Sequence, residues 1–459
     1  MTTIQIRRPH PGRGTGRIIG AALALGLVLV ISRVPLDRPS ITADPQPAGV
    51  DAVPALDGAG TLGLLPPEER VAFWEARIAA GGSFLDLIHL ADAYLDRSRA
   101  TGSLDDLELA ATALDRAALT APYPEQVSVR RALVAFALHD FAGAMRRADE
   151  VLAENPADLA ALGVAGDTRL ETGDISGARV RYEELARLAP SPAAWSRLGR
   201  LAFLTGDTTG AIRLVARAAA TSLDEGAPDA VAYYQYQLGE LRRAAGDLPG
   251  ARAAYSASLR ALPDYAPATA GLATVRATTG HLDEAIGLLE RATARLPQPE
   301  LVAALGDLYA LDGRASEAEA QYRLVEGIAE LSVATGSVYD RQLILFAADH
   351  ERGIEGAVAR ARYELATRAD IYGHDALAWA LYRAGELDEA AVHADAALAL
   401  GTNDPRLAYH AGLIAAARGD TGRAAELLGR AVQGVAFLPP LQAAAARDAL
   451  SALEAGRRQ

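Results

Sequence analysis

The chain has 459 residues, too many for one ordinary core, with 50% hydrophobic and only 5% aromatic residues, a formal net charge of −13 and no cysteine. An acidic chain lacks the basic stripe that nucleic acid requires, so nucleic acid is excluded as the main partner. The missing thiol excludes disulfides, cysteine-based zinc sites, thiol catalysis and a lipid-modified cysteine anchor.

All 45 basic residues are arginine, which with the abundant alanine points to a GC-rich bacterial genome. Residues 1–17 carry Arg7, Arg8, Arg13 and Arg17 without an acid, and Ile18 to Ser32 then runs 15 residues without a charge before Arg33. A helix of that length spans about 22 Å, and flanking arginines that snorkel to the interfaces shorten the gap to a hydrocarbon core of about 30 Å. The expectation is a basic cytoplasmic flank over 1–17 and a transmembrane anchor or signal helix over 18–33. With the basic flank inside, the remainder is expected outside the cytoplasm, as a single-pass cell-membrane protein. The alternative is a cleaved signal and a secreted product; the charges and prolines after Arg33, with no Ala-x-Ala, fit it less well. Residues 34–66, with Pro35, Pro39, Pro45, Pro47, Pro54 and Pro66, read as a flexible linker.

Beyond the linker seven pairs of a glycine and an alanine five residues later follow one another at close to one fixed spacing: Gly173/Ala178, Gly206/Ala211, Gly246/Ala251, Gly280/Ala285, Gly313/Ala318, Gly385/Ala390 and Gly419/Ala424. Successive glycines lie 33, 40, 34, 33, 72 and 34 residues apart, the 72 being two periods with an insertion. Self-similarity near 34 residues predicts stacked helix-turn-helix units. In the unit from Asp158 to Pro190, Gly173 supplies the reversal between two helices. Small Gly166 and Ala178 let those helices cross closely, and Tyr182 fills the groove between them. The 40-residue step places extra residues at 222–230 and the second insertion at 331–337, where they lengthen a helix, widen a groove or form surface loops.

The stretches Trp195-x2-Leu198-Gly199 and Leu305-Gly306-x2-Tyr309, each followed by Gly, Ala and, in the second, Tyr322, resemble the tetratricopeptide repeat. The resemblance covers roughly residues 85–438 in about ten units. It implies an all-α, right-handed superhelix, with an N-terminal hydrophobic helix added here. On that reading the solenoid occupies 67–438, and 439–459 form a capping helix and tail.

The resemblance also implies that the first helix of each unit lines the inner face. Between residues 339 and 410 that face would present Tyr339, Phe346, Asp349, Tyr372, Asp375, Trp379, Tyr382, Arg383 and Tyr409, an aromatic-rich candidate groove for a protein or peptide partner. Ordinary core packing of these aromatics is the competing reading. His350, His374 and His410 beside acidic residues raise a metal- or small-ligand-binding alternative, although no local ligand-pair spacing supports it. Chaperone-type carboxylate clamps need lysine and asparagine, whereas lysine is absent and Asn155 and Asn403 are the only asparagines. No P-loop, His-Glu-x-x-His or Gly-x-Ser-x-Gly is present. The expectation is therefore no enzyme and no cofactor, but a membrane-anchored scaffold for protein–protein interaction outside the cytoplasm, with envelope assembly or secretion as its setting. Oligomeric state is left open.

Overall fold

The computed structural model describes residues 65–457 except 102 and 336–339. Among these, α1 (Pro67–Ala79) precedes ten antiparallel helix pairs. The first four are α2/α3 (Phe84–Thr101, Leu104–Ala118), α4/α5 (Pro124–Ala137, Phe141–Glu154), α6/α7 (Leu159–Glu171, Ile175–Leu188) and α8/α9 (Pro192–Leu204, Thr208–Asp224). The next three are α10/α11 (Pro228–Ala244, Leu248–Ala261), α12/α13 (Ala266–Thr278, Leu282–Arg295) and α14/α15 (Pro299–Leu311, Ala315–Thr335). The last three are α16/α17 (Asp340–Asp349, Ile354–Thr367), α18/α19 (Ile371–Ala384, Leu387–Leu398) and α20/α21 (Pro405–Ala417, Thr421–Gln433). A short 3-10 turn (Val435–Phe437) leads to α22 (Pro440–Arg457). The fold is an all-α solenoid of paired helices.

Each joint is built locally. Gly173 and Gly246 close their first helices with φ of 88° and 78°, a left-handed conformation costly for any residue with a Cβ. The next residue, Asp174 or Asp247, then accepts the backbone N–H of Gly177 or Gly250 at 2.9 Å and caps the second helix. Asp140 and Asp207 repeat the cap. Pro192, Pro228, Pro299 and Pro405 open first helices where no backbone donor is needed.

Within units three, five and seven, a tyrosine of the second helix lies on a glycine of the first. A Cβ at Gly166 would meet the Tyr182 ring at 2.5 Å, and one at Gly306 the Tyr322 ring at 2.6 Å. The acidic residue after each glycine takes the phenol: Tyr182 donates to Asp167 at 2.8 Å and Tyr322 to Asp307 at 2.9 Å. Tyr255 lies on Gly239 and donates to Glu240 in the same way. Glycine provides room for the ring, and the neighbouring carboxylate keeps the buried hydroxyl partnered. Both insertions in the period lengthen helices: α9 and α10 have 17 residues each and α15 has 21.

The first helices of neighbouring units touch one another, as in α4–α6, α10–α12, α14–α16 and α18–α20, which puts them on the inner side of the curve. The curve closes on itself. Arg368, after α17, donates through Nε to Glu171 of α6 at 2.8 Å, and Asn403, before α20, donates to the Gly206 carbonyl at 2.8 Å. Leu170, Tyr182, Leu201 and Leu204 share one apolar cluster with Ile371, Ala397 and Leu407. Units far apart in sequence thus form a seam.

The expected anchor or signal helix at 18–33 and all but the last two residues of the linker expected at 34–66 lie outside the described residues. Among the described residues no helix is long and apolar enough to cross a membrane. Even the longest, α15, carries Glu317, Glu319, Arg323, Glu326 and Glu330, charges that a hydrocarbon core would not accept. The expectation of a membrane-anchored, single-pass, extracytoplasmic protein with the membrane as partner is thereby corrected to a repeat scaffold without a membrane span among its described residues.

Candidate partner-binding face

Along the inner side, acidic residues of one first helix accept from donors on the next. Arg197 of α8 grips Asp167 of α6 through Nε at 2.9 Å and Nη2 at 2.7 Å, both side chains nearly fully buried. Arg200 reaches Glu171 at 2.6 Å, His350 reaches Asp307 at 2.8 Å, and His410 reaches Asp375 at 3.0 Å. Trp379 donates its indole N–H to Asp349 at 2.9 Å. These rungs fix the register between units, because removing one partner strands a charge or donor in a dry place.

Several sequence-predicted residues are rungs of this ladder. Trp379 is fully buried, stacked on His410 at 4.2 Å and Tyr382 at 5.0 Å, with Arg383 over its face at 4.6 Å. Tyr409 is buried 5.8 Å from the same indole. Asp349 takes a second donor, Gln442 of α22, at 3.0 Å, and burial pushes its carboxyl above the usual range. Asp349, Asp375, Trp379, Tyr382, Arg383 and Tyr409 are therefore one assembly. Phe346 is not in it: the ring lies 6.0 Å from Tyr322 and 4.6 Å from His350, in the adjoining apolar cluster. Tyr372 stands apart at the seam, donating to Asp404 at 3.2 Å. Tyr339 lies outside the described residues.

The three histidines do not converge. His350 is held by Asp307 and the Phe346 carbonyl; burial alone would lower its pKa, but these partners outweigh it and raise it. His374 faces His393 at 2.9 Å, and burial and that neighbour lower its pKa. His410 belongs to Asp375. Among the described residues no group of three or more His, Asp or Glu side chains is placed to hold a metal ion. The metal-binding alternative is corrected accordingly: each histidine has its own structural partner, Asp307 for His350, His393 of α19 for His374 and Asp375 for His410.

Sequence reasoning missed the middle of the inner face. Tyr233, Tyr236 and Tyr265 are half-buried there, Tyr236 edge-on to Tyr265 at 6.0 Å, and Gln237 donates to the Tyr233 hydroxyl at 2.7 Å. Burial pushes the Tyr265 phenol above its usual range, as it does Tyr233 and Tyr236. The first-helix register that singled out residues 339–410 would have found them, had it been run through α10 and α12.

The inner face is also occupied. Phe437 lies between two guanidinium groups, Arg243 of α10 at 4.5 Å and Arg406 of α20 at 4.8 Å. Arg243 additionally donates to the Phe437 carbonyl at 3.0 Å. Beyond it, α22 packs on α12, α14 and α20 as well as on α21, its Ala443 and Ala446 buried in the cluster that holds Trp379 and Tyr409.

Two tetratricopeptide repeat family profiles match the sequence, one over residues 242–308 and the other over 164–230 and 376–439. These stretches of the chain are tetratricopeptide repeats. Solved structures similar to this chain include the MamA protein, 23% identical over 37% of this chain and 91% of that one, with a TM-score of 0.29. PilW, a widely conserved type IV pilus biogenesis factor, is 19% identical over 45% and 94%, with a TM-score of 0.38. The human IFIT1 dimer with PPP-AAAA is 13% identical over 82% and 96%, with a TM-score of 0.44. At such scores none of them bears on function. No curated protein matches significantly. The repeat fold is typical of non-catalytic scaffold proteins.

Proposed function

We propose that this tetratricopeptide-repeat protein is a non-catalytic scaffold that holds a protein or peptide partner along its inner face. The observation that carries this reading is that face itself: half-buried tyrosines and arginines line it, and it already embraces a peptide segment, residues 434–457 of the same chain. Aromatic and arginine side chains supply most of the anchoring energy at protein interfaces. Tyr372, Tyr382 and Arg383, half-buried, are the sequence-selected residues positioned to contact a partner, with Phe346, Asp349, Asp375, Trp379 and Tyr409 supporting them from behind. Tyr339 is retained in the groove on its sequence register alone.

A photo-crosslinking residue placed at Tyr236 and at Tyr382 in the full chain tests this. Both positions should trap the same polypeptide, and Tyr363, 72% exposed on the second helix α17, should trap none. Equal labelling from all three positions would sink the proposal.

A further inference from the structure

The C-terminal segment is more than an end cap. An end cap covers the last unit, whereas residues 434–457 reach back across the inner face to units five, six and seven through α10, α12 and α14. Phe437 is its anchor, buried between Arg243 and Arg406 from opposite sides of the curve. Ala443, Ala446, Ala449, Leu450 and Leu453 then form an apolar stripe at helical spacing over the Trp379–Tyr409 assembly. This is how an amphipathic helix lies in a groove.

The seat fits this segment imperfectly. The Nε of Arg243, the Nε of Arg383, the Nε2 of His410 and the Oε1 of Gln442 are all buried there without a hydrogen-bond partner. Arg243, Arg383 and His410 each bear a desolvation cost that a better-matched ligand would recover. Alanine dominates the buried stripe, so the helix removes little apolar surface per turn compared with a leucine-rich one. The segment is joined to α21 at Gly434, and its 3-10 turn carries Phe437.

We propose that residues 434–457 are a built-in ligand, exchanged for a partner helix of the same chemistry: an aromatic residue followed, six residues on, by an Ala/Leu stripe that carries acceptors for Arg243 and Arg383. This rests on the scaffold reading and specifies what that scaffold takes. While the segment is seated, the partner competes with an intramolecular ligand at high effective concentration, so weakening the segment raises apparent affinity.

The test uses the full chain and a fluorescein-labelled synthetic peptide of residues 434–457. Phe437→Ala in the protein should bind this wild-type peptide at least tenfold more tightly than the unaltered chain does. Hydrogen exchange of the unaltered chain should show amides of 435–457 exchanging at least tenfold faster than those of α20 and α21, and Phe437→Ala should accelerate only that segment. The inference is overturned if both proteins bind the peptide equally or not at all, or if 435–457 exchanges only together with α20 and α21. Inner-face crosslinks that persist alongside such a failure would leave the scaffold reading standing and remove only the exchange.

Discussion

Gly173 and Gly246 occupy the same place in the same turn, with φ of 88° and 78°, yet they live in different surroundings. Around a Cβ at Gly246 there is open space, whereas at Gly173 it would run into the backbone carbonyl of Ala369, almost two hundred residues away. Gly246 is a joint and nothing more. Gly173 is both a joint and part of the seam. The joints between paired helices are made from residues a few positions apart and repeat along the chain. The seam is made once, from partners that share no spacing. A solenoid gains stability from nearest neighbours; this one adds contacts between non-neighbours, which couples its two halves.

The sharpest way to break that distinction is Glu171→Ala. Glu171 is wholly buried between Arg200 and Arg368; burial alone would raise its pKa, but Arg368, Arg200 and Arg341 hold it well below the carboxylate range. Removing it strands those guanidinium groups, and urea unfolding should show a loss of about 3–5 kcal/mol. Asp149→Ala, which cuts a half-exposed pair with Arg169, should cost about 1 kcal/mol or less. Equal losses would mean that the seam carries no special load.

Gly246→Ala and Gly173→Ala compare the two surroundings directly. The first should cost about 1–2 kcal/mol, for the left-handed conformation alone. The second should lose a further 1–3 kcal/mol or so as the backbone of Ala369 is pushed away, with faster hydrogen exchange at 368–372 than in the parent.

A pH titration reports on the seam through His139. It stands where other units have glycine, at φ 58°, and burial, reinforced by Arg368, pushes its pKa down to about 3. The unfolded chain protonates this imidazole near its ordinary 6.5, before the folded chain does. Its contribution is therefore intact above pH 6.5 and is lost as pH falls from there toward 3. The loss is up to about 1.4 kcal/mol per pH unit. His139→Asn, which tolerates the same backbone, should flatten that part of the stability profile; an unchanged slope would show that His139 is not its source.

A small effect also belongs to a joint. Asp247→Ala removes the cap from the Gly250 N–H and should cost about 1 kcal/mol with the seam undisturbed.

Much of the fold was legible because its signals are local. Gly206 to Ala211, Asp174 capping Gly177, and Tyr182 over Gly166 are separated by one turn or one hairpin, so each leaves a fixed spacing in the sequence. The same periodicity located the first helices, and hence Trp379, Tyr382 and Tyr409 as neighbours. It did not reveal that Trp379 is sealed beneath α22, because burial depends on what arrives from elsewhere. The histidines misled for the same reason. Periodicity put them on consecutive units, but only the packing assigned His350 to Asp307 and His410 to Asp375.

The sequence alone thus determined the helix pairs, their joints and their stacking order, since those follow from backbone conformation, capping and side-chain volume within about 35 residues. Only the tertiary structure decided that Glu171 meets Arg368, that the curve closes at Gly173 and Gly206, and that Phe437 lies between Arg243 and Arg406. Those pairings are set by the accumulated rotation from unit to unit, which small packing differences control and no single residue spacing encodes.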